Sequence, residues 1–394
     1  MKNFKFILTS VSVAALVAAC GGGNDPVDTR IKFAQVVTFG DSISDAGTYR
    51  VGTIAQLGGG KFTVNSAVDK NDKTWTEALA VSLGAPAQCP AQTGLLPNMG
   101  GITGAAVVNF PACNNYAQGS SRVTSNGSGP NGVALQKAPF NEVNLGLIAD
   151  SIQNQVNRHI TKVGTFGGNE LVTVNGGGND FFQQITAFAL AAGGGAAAAN
   201  YGVIAGWPAA TITTVTGGGA AATIAAQGAV VAGMGQAGAE LASYVKTLIV
   251  GKGAKYVVVR NLGDLNITPF GLTFSAGFKP LSTAMVTAFN SELAKGLTGV
   301  PGIYLLDDYA RGQAIAANPA SVGHTNVTIP SCGPDAFSSP GDTVGDSIIC
   351  TAKTLIAGDT SKYAFADEVH PTPYAHQVAA DFTIALLRKA GLNL

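Results

Sequence analysis

The chain has 394 residues, 46% of them apolar and 12% charged, with 23 basic and 23 acidic side chains and no net charge. No Lys/Arg block occurs, which argues against a nucleic-acid partner held by a basic patch. The length suits one large α/β domain with a substantial core.

Lys2 and Lys5 precede an apolar stretch from Phe6 to Val17, too short to span a bilayer as a helix and of the kind that directs export. It ends Val17-Ala18-Ala19-Cys20, which resembles the lipobox of bacterial lipoproteins, so residues 1–20 are expected to be a lipoprotein-type signal with Cys20 acylated. Each buried methylene contributes about 0.8 kcal/mol, and a triacylated cysteine would exceed what stable anchoring needs. Gly21-Gly22-Gly23-Asn24-Asp25-Pro26 then serves within a flexible tether over 21–32. Ordinary signal cleavage with secretion is the alternative.

Val36-Val37-Thr38 predicts a buried strand, which delivers Gly40-Asp41-Ser42 to its C-terminal end. In an open parallel sheet that edge is where ligands bind. A serine there can act as a nucleophile if a base and oxyanion donors exist elsewhere; otherwise it caps the next helix. Residues 85–140 are rich in Pro, Gly, Asn and Ser and predict a long loop system. A helix follows with the apolar stripe Ile148, Ile152, Val156 and Ile160, and His159 beside it is expected to be solvated. Leu171-Val172-Thr173-Val174 predicts a second strand, ending in Asn175-Gly176-Gly177-Gly178-Asn179-Asp180. Neither a Gly-x-Gly-x-x-Gly spacing nor a Gly-Lys-Ser/Thr ending is present, which argues against a nucleotide loop. A Gly-x-Ser-x-Gly elbow is missing at Ser42.

Residues 187–240 are dense in Ala and Gly, the composition of a loose spacer or weak helix; the sharper hypothesis is a lid or acyl-chain groove. Further strands are predicted at Tyr256-Val257-Val258-Val259 and Ile303-Tyr304-Leu305-Leu306, and Asp307-Asp308 reads as a solvated acidic pair. Near the C-terminus, Asp367-Glu368-Val369-His370 precedes Pro371, with Thr372 as N-cap and Pro373 as first helical residue. The stripe Tyr374, Val378, Phe382, Leu386 is expected to dock that helix on the sheet.

The four histidines are His159, His324, His370 and His376. His376 falls inside the last helix, where packing or surface is expected, and His324 sits in a loop without a local partner. His370 alone has a carboxylate, Asp367, three residues before it, close enough to fix its tautomer and stabilise imidazolium. Among the cysteines, removal of Cys20 leaves Cys89, Cys113, Cys332 and Cys350, an even number in an exported chain. Three pairings are possible. The local ones, Cys89–Cys113 and Cys332–Cys350, are favoured because each closes one Pro/Gly-rich loop, for roughly 3 kcal/mol per bridge. Zinc is the rival reading, but no Cys-x-x-Cys spacing occurs.

In order, Phe39-Gly40-Asp41-Ser42, Asn115-Tyr116-Ala117-Gln118-Gly119, Gly177-Gly178-Asn179-Asp180 and Asp367-Glu368-Val369-His370 resemble the four blocks of the GDSL-type serine esterases and lipases of the SGNH hydrolase superfamily. Asn261-Leu262-Gly263-Asp264 also resembles a family motif at a strand end. The resemblance spans roughly residues 33 to 390. Ile43 replaces the usual leucine, and Ser120-Ser121 follow Gly119 where relatives often have Gly-Ala.

The resemblance implies a three-layer α/β sandwich over 33–394, a central parallel sheet with helices on both faces (the SGNH/flavodoxin-like hydrolase fold), and insertions near 85–140 and 187–240. It implies Ser42, Asp367 and His370 as catalytic residues. The oxyanion donors it implies are the N–H of Ser42, the N–H of Gly119 and the side chain of Asn179. Expected activity is hydrolysis of short-chain acyl or lipid esters, without metal or organic cofactor, at a membrane reached through the lipid anchor. A carbohydrate O-deacetylase or lysophospholipase would use the same residues, and a scaffold lipoprotein could keep the fold without the reaction.

Overall fold

The computed structural model describes residues 30–66, 71–95, 102–123 and 148–394. The signal segment with Cys20, most of the tether, and parts of the 85–140 stretch lie outside the described residues. The strands are β1 (Val36–Phe39), β2 (Gln92–Leu95), β3 (Ala105–Asn109), β4 (Leu171–Val174), β5 (Tyr256–Arg260) and β6 (Ile303–Leu306). The helices in the first half are α1 (Gly52–Gln56), α2 (Trp75–Ser82), α3 (Ile152–Val163), α4 (Gly178–Ala191), α5 (Gly195–Ile204) and α6 (Ala209–Thr216). Then come α7 (Gly219–Tyr244), α8 (Pro269–Leu272), α9 (Lys279–Leu297), α10 (Asp308–Ala317) and α11 (Pro373–Lys389).

A four-stranded parallel sheet in the order β1-β4-β5-β6 forms the centre. Its strands read as near-continuous apolar runs because both faces are covered. Val37, Phe39, Val172, Val174, Val257 and Val259 point to one face and share a core with α3, α4, α7 and α9. Val36, Leu171 and Val258 point to the other and pack with Trp75 and Leu79 of α2 and Ala380, Ile384 and Leu387 of α11. The expected three-layer α/β architecture is therefore present.

The register is level: Phe39 pairs with Val174, Val174 with Val259, and Val259 with Leu305. All four strands consequently end at one height, and the residues just beyond them share one edge.

Three expectations change. The buried face of α11 is His376, Ala379, Ala380, Thr383, Ile384 and Leu387 together with Val378, while Phe382 is 37% exposed. A strict i+4 row drifts about 40° per step around a helix, so the docking face alternates steps of three and four. Residues 187–240 are packed helices rather than a spacer. In the 26-residue α7, Ala222, Ala226, Val230, Met234 and Leu241 are buried, and a Cβ at Gly238 would lie 2.2 Å from the Phe289 carbonyl oxygen of α9. The small residues thus set how closely the helices approach. The 85–140 stretch holds, besides loop, an antiparallel ribbon of β2 and β3.

Both favoured disulfides form, Cys89–Cys113 and Cys332–Cys350. Among the described residues, no helix is long and apolar enough to cross a membrane. The Cys332–Cys350 bridge supports the segment that carries His370. Cys332, Cys350 and Ala366 are buried together, the Cys332 N–H donates to the Ala366 carbonyl at 2.8 Å, and the Ala366 N–H donates to the His370 carbonyl at 2.7 Å.

Replacing Cys332 and Cys350 together by serine should lower stability by about 3 kcal/mol in chemical denaturation. It should also speed amide exchange at Ala366 and Ser347. The Cys89→Ser, Cys113→Ser pair should cost a similar amount and leave exchange at those two amides unchanged.

Candidate active site

Ser42 opens a single 3-10 turn, Ser42–Ser44, directly beyond β1. The chain leaving the strand is clamped by Gln155 of α3. Its side-chain amide accepts from the Gly40 N–H at 2.8 Å and donates to the Gly40 carbonyl at 2.9 Å, replacing the partners a further strand would supply. A Cβ on Gly40 would fall 2.1 Å from Asn175 Oδ1, so only glycine fits beside that side chain. Behind the turn runs a buried relay. Trp75 Nε1 donates to Ser44 Oγ at 2.8 Å, Ser44 Oγ to Asn175 Oδ1 at 2.5 Å, and Asn175 Nδ2 to Asp41 Oδ1 at 2.7 Å.

The segment before α11 brings His370 over this turn. Its Nε2 lies 2.9 Å from Ser42 Oγ and its Nδ1 lies 2.7 Å from Asp367 Oδ2. An ionised carboxylate only accepts, so Nδ1 carries the proton and Nε2 is left to accept from the Ser42 hydroxyl. Asp367 is fixed in turn: Oδ1 accepts from the N–H groups of Val369 and His370 at 2.9 and 2.7 Å, and Oδ2 from the Ser347 N–H at 3.2 Å. Ser347 Oγ stands 3.2 Å from His370 Nδ1. The Phe62 ring packs on the imidazole, with centroids 5.0 Å apart.

Burial disfavours the charged form of both groups, and their pairing overrides it. Burial alone would raise the Asp367 carboxyl, yet the adjacent imidazole and hydrogen-bond donors hold it far below the ordinary range. Burial alone would lower His370, yet the Asp367 charge and hydrogen bond carry it above its ordinary value. Such an arrangement can take a proton from a serine hydroxyl and hold the resulting imidazolium.

The glycine block behaves differently from expectation. The Gly119 N–H donates to Asp45 Oδ2 at 3.0 Å, its carbonyl accepts from Tyr49 Oη at 2.8 Å, and a Cβ there would lie 2.2 Å from the Phe62 ring. Gly119 is needed for space, and its N–H is committed to Asp45 rather than offered to the cleft. Ser120, the next residue, lines the cleft. With φ of 72°, it is the one non-glycine residue in the left-handed region among those described. Asn179 stands in the first turn of α4, lines the same cleft, and uses one amide N–H to reach the Ser121 carbonyl at 2.8 Å. Its neighbour Asp180 is held by Arg122 Nε at 3.2 Å and the Val123 N–H at 3.0 Å.

Above these residues lies a cleft of about 230 Å³ with apolar walls from Ile43, Phe182, Leu262, Leu265 and Val369. Asn261-Leu262-Gly263-Asp264 contributes to it, whereas no residue of 187–240 does.

Of the remaining histidines, only His159 departs from the sequence reading. His159 is buried, not solvated: it lies three residues after Val156 on the same helix face, packs on Phe166 at 4.8 Å, and burial pushes it down to about 4. His324 has a partner, the Lys362 carbonyl 3.0 Å from Nδ1. His376 is buried, accepts from the Trp75 N–H at 3.2 Å, and is pushed down to about 3 by burial. Asp308 is not solvated either. It is buried and ion-paired with Arg260 and Arg311, while Asp307 caps α10 through the Ala310 N–H.

Gln155, Asn175, Ser347 and Arg260 escaped the sequence reading. Of these only Asn175 carried a local signal, as a polar residue at a strand end.

The family described as GDSL-like Lipase/Acylhydrolase matches residues 36–382. Two proteins called Esterase EstA, from Pseudomonas aeruginosa and Pseudomonas putida, are each 34% identical to this chain over 138 residues. That alignment covers 34% of this chain and 20% of each relative, so the similarity spans about a fifth of their length. The family match runs from the first residue of β1 into α11, across every strand of the central sheet, and the chain belongs to the GDSL-like lipase/acylhydrolase family.

Proposed function

We propose that this protein is a serine esterase that cleaves carboxylic esters through an acyl-enzyme on Ser42. The observation that carries the reading is the unbroken hydrogen-bonded chain Ser42–His370–Asp367, at 2.9 and 2.7 Å. Ser42 Oγ attacks the ester carbonyl while His370 Nε2 takes its proton. The C–O bond to the alcohol then breaks, and the imidazolium returns the proton to the departing alkoxide. Water, deprotonated by the same nitrogen, attacks the acyl-enzyme; the acyl carbon–Oγ bond breaks, the imidazolium returns its proton to Ser42 Oγ, and the acid leaves. Asp367 holds the imidazole tautomer and stabilises its charge throughout.

The tetrahedral oxygen is assigned to the Ser42 N–H, the Ser120 N–H and the free N–H of the Asn179 amide. These stand around one cleft, and Ser120 takes the place given to Gly119 because the Gly119 N–H is bound to Asp45. The apolar cleft walls favour an acyl chain in the site, so short-chain acyl or lipid esters are the proposed substrates. For location, we propose export and anchorage through acylated Cys20, a reading supported by the apolar leader and in keeping with two disulfides, which persist in oxidising compartments.

A fluorophosphonate probe should label the protein once, at Ser42. Ser42→Ala should abolish both labelling and ester hydrolysis with an unchanged thermal midpoint. Labelling at another residue, or hydrolysis surviving the substitution, would refute the assignment.

Only neutral His370 can act as base, and its pairing with Asp367 raises its pKa. The rate should therefore climb with pH through a midpoint above the ordinary histidine value of about 6.5 and then level off. Asp367→Asn removes the charge that raises the imidazole, so the midpoint should fall while kcat drops by about 10⁴-fold.

If the oxyanion is held as proposed, Asn179→Ala should lower kcat by about 10²–10³-fold with little change in KM. Ser120→Gly keeps the backbone donor and should retain activity within a few-fold. Active-site-titrated kcat for both variants checks the pair.

A further inference from the structure

Arg260 is the last residue of β5 and ends in the same cleft as Ser42. From the level register, its strand stands two positions from β1, a separation of roughly 10 Å at the usual strand spacing. Its side chain is 6% exposed and lies over the Trp75 ring, with the guanidinium carbon 4.6 Å from the ring centroid. Nε donates to Asp308 Oδ2 at 2.5 Å. Asp308 is shared, because its Oδ1 accepts from Arg311 Nε at 2.8 Å. Two guanidinium groups thus share the Asp308 carboxylate, and the charge of Asp41 also favours the protonated Arg260 in this largely buried position.

The four N–H bonds on Nη1 and Nη2 of Arg260 meet no acceptor among the described residues. Other carboxylates near the cleft are otherwise engaged. Asp41 Oδ1 accepts from Asn175 Nδ2 and the Ile43 N–H, and Asp264 accepts from the Asn266 N–H and Gln313 Nε2. A residue serving only to pin β5 to α10 would need Nε alone. Here Arg260 lines a cleft with the outer nitrogens of its planar fork unused, and a fork of that shape matches the paired oxygens of a carboxylate or phosphate.

We propose that Arg260 binds an anionic oxygen group, carboxylate or phosphate, carried by the ester substrate at some distance from the bond cleaved. This deepens the reading of Ser42 as nucleophile and rests on it. The substrate class becomes esters with an apolar portion along Phe182, Leu262 and Leu265 and an anionic end at Arg260. Arg260 is then a specificity residue, while Ser42 and His370 carry the chemistry.

The test measures binding to the Ser42→Ala protein, so that no ester is turned over. Monohexyl succinate is compared by calorimetry with neutral hexyl methyl succinate, and hexanoylglycerol phosphate with hexanoylglycerol. At least one anionic partner should bind about tenfold or more tightly than its neutral match. The pair with the larger ratio identifies carboxylate or phosphate. Adding Arg260→Gln should erase the ratio and leave binding of the neutral partners unchanged; Arg260→Lys should restore part of it. Equal binding within both pairs, or a ratio that survives Arg260→Gln, would overturn the proposal. If Arg260→Gln fails to fold, Arg260→Lys and Arg311→Gln decide instead: a ratio reduced by Arg260→Lys and kept by Arg311→Gln supports the proposal, and the reverse overturns it. Turnover of the neutral esters by the native protein reports separately on Ser42. Its absence would overturn the nucleophile reading, while the binding ratio still decides for or against Arg260.

Discussion

Four parallel strands ending at one height impose the constraint on which the rest of this structure depends. Where a strand stops, its backbone groups lose their ladder partners, and at this depth water cannot replace them all. Side chains must do so. Gln155 completes the end of β1, Asn175 follows β4 and ties the nucleophile turn to α2 through Ser44 and Trp75, and Arg260 closes β5 on Asp308. The polar edge of the sheet is thus a structural requirement first, and Ser42 lies within it. A hydroxyl placed there gains a fixed position without further loop machinery.

Several carboxylates are buried around this edge, and their surroundings separate them. Asp367 and Asp308 face cationic partners, and both are held below the ordinary range although burial opposes it. Asp41 and Asp45 form no ion pair among the described residues, although His370 and Arg260 oppose the rise at Asp41. Burial dominates there, raising Asp41 and carrying Asp45 to about 6 even though Asp45 accepts three backbone N–H bonds. Asp180 is also raised by burial, with Arg122 opposing. One residue type therefore serves as counter-ion beside His370 and as loop fastener beside Gly119, and the direction at each depends on whether nearby positive charge and donors outweigh the cost of burial.

The sequence was legible where chemistry is local. Apolar runs marked all four central strands, as expected where helices cover both faces of a parallel sheet. Asp367 and His370 could be paired because they are three residues apart, and each cysteine pair closed a short loop. What escaped notice depends on contacts far apart in the chain. Gln155 meets Gly40 across 115 positions, and Ser347 reaches Asp367 only because a disulfide loop folds back. His159 looked solvated as a polar residue beside an apolar stripe, yet the aromatic rings of Phe39 and Phe166 come from β1 and from the segment before β4. The Gly/Ala-rich stretch misled for a related reason. Glycine weakens an isolated helix, but against a second helix it permits close contact, and packing outweighs propensity.

Gly119 and Ser120 show how neighbouring positions can divide demands that a single glycine might otherwise meet. At 119 the requirement is volume, since Phe62 must reach the His370 ring across the place a Cβ would occupy. At 120 the requirement is conformation, a left-handed turn at the cleft wall, and a serine there costs about 1–2 kcal/mol relative to glycine. That cost persists because the preceding residue cannot move. The Gly119 N–H is held by Asp45 and its carbonyl by Tyr49, both buried. Relaxing Ser120 to an ordinary conformation would require breaking those bonds, and a buried carboxylate deprived of a donor loses more than the turn would gain. The strain is therefore fixed by the packing that positions Phe62 against the imidazole, so the placement of the His370 ring and the turn at Ser120 are set by the same few residues.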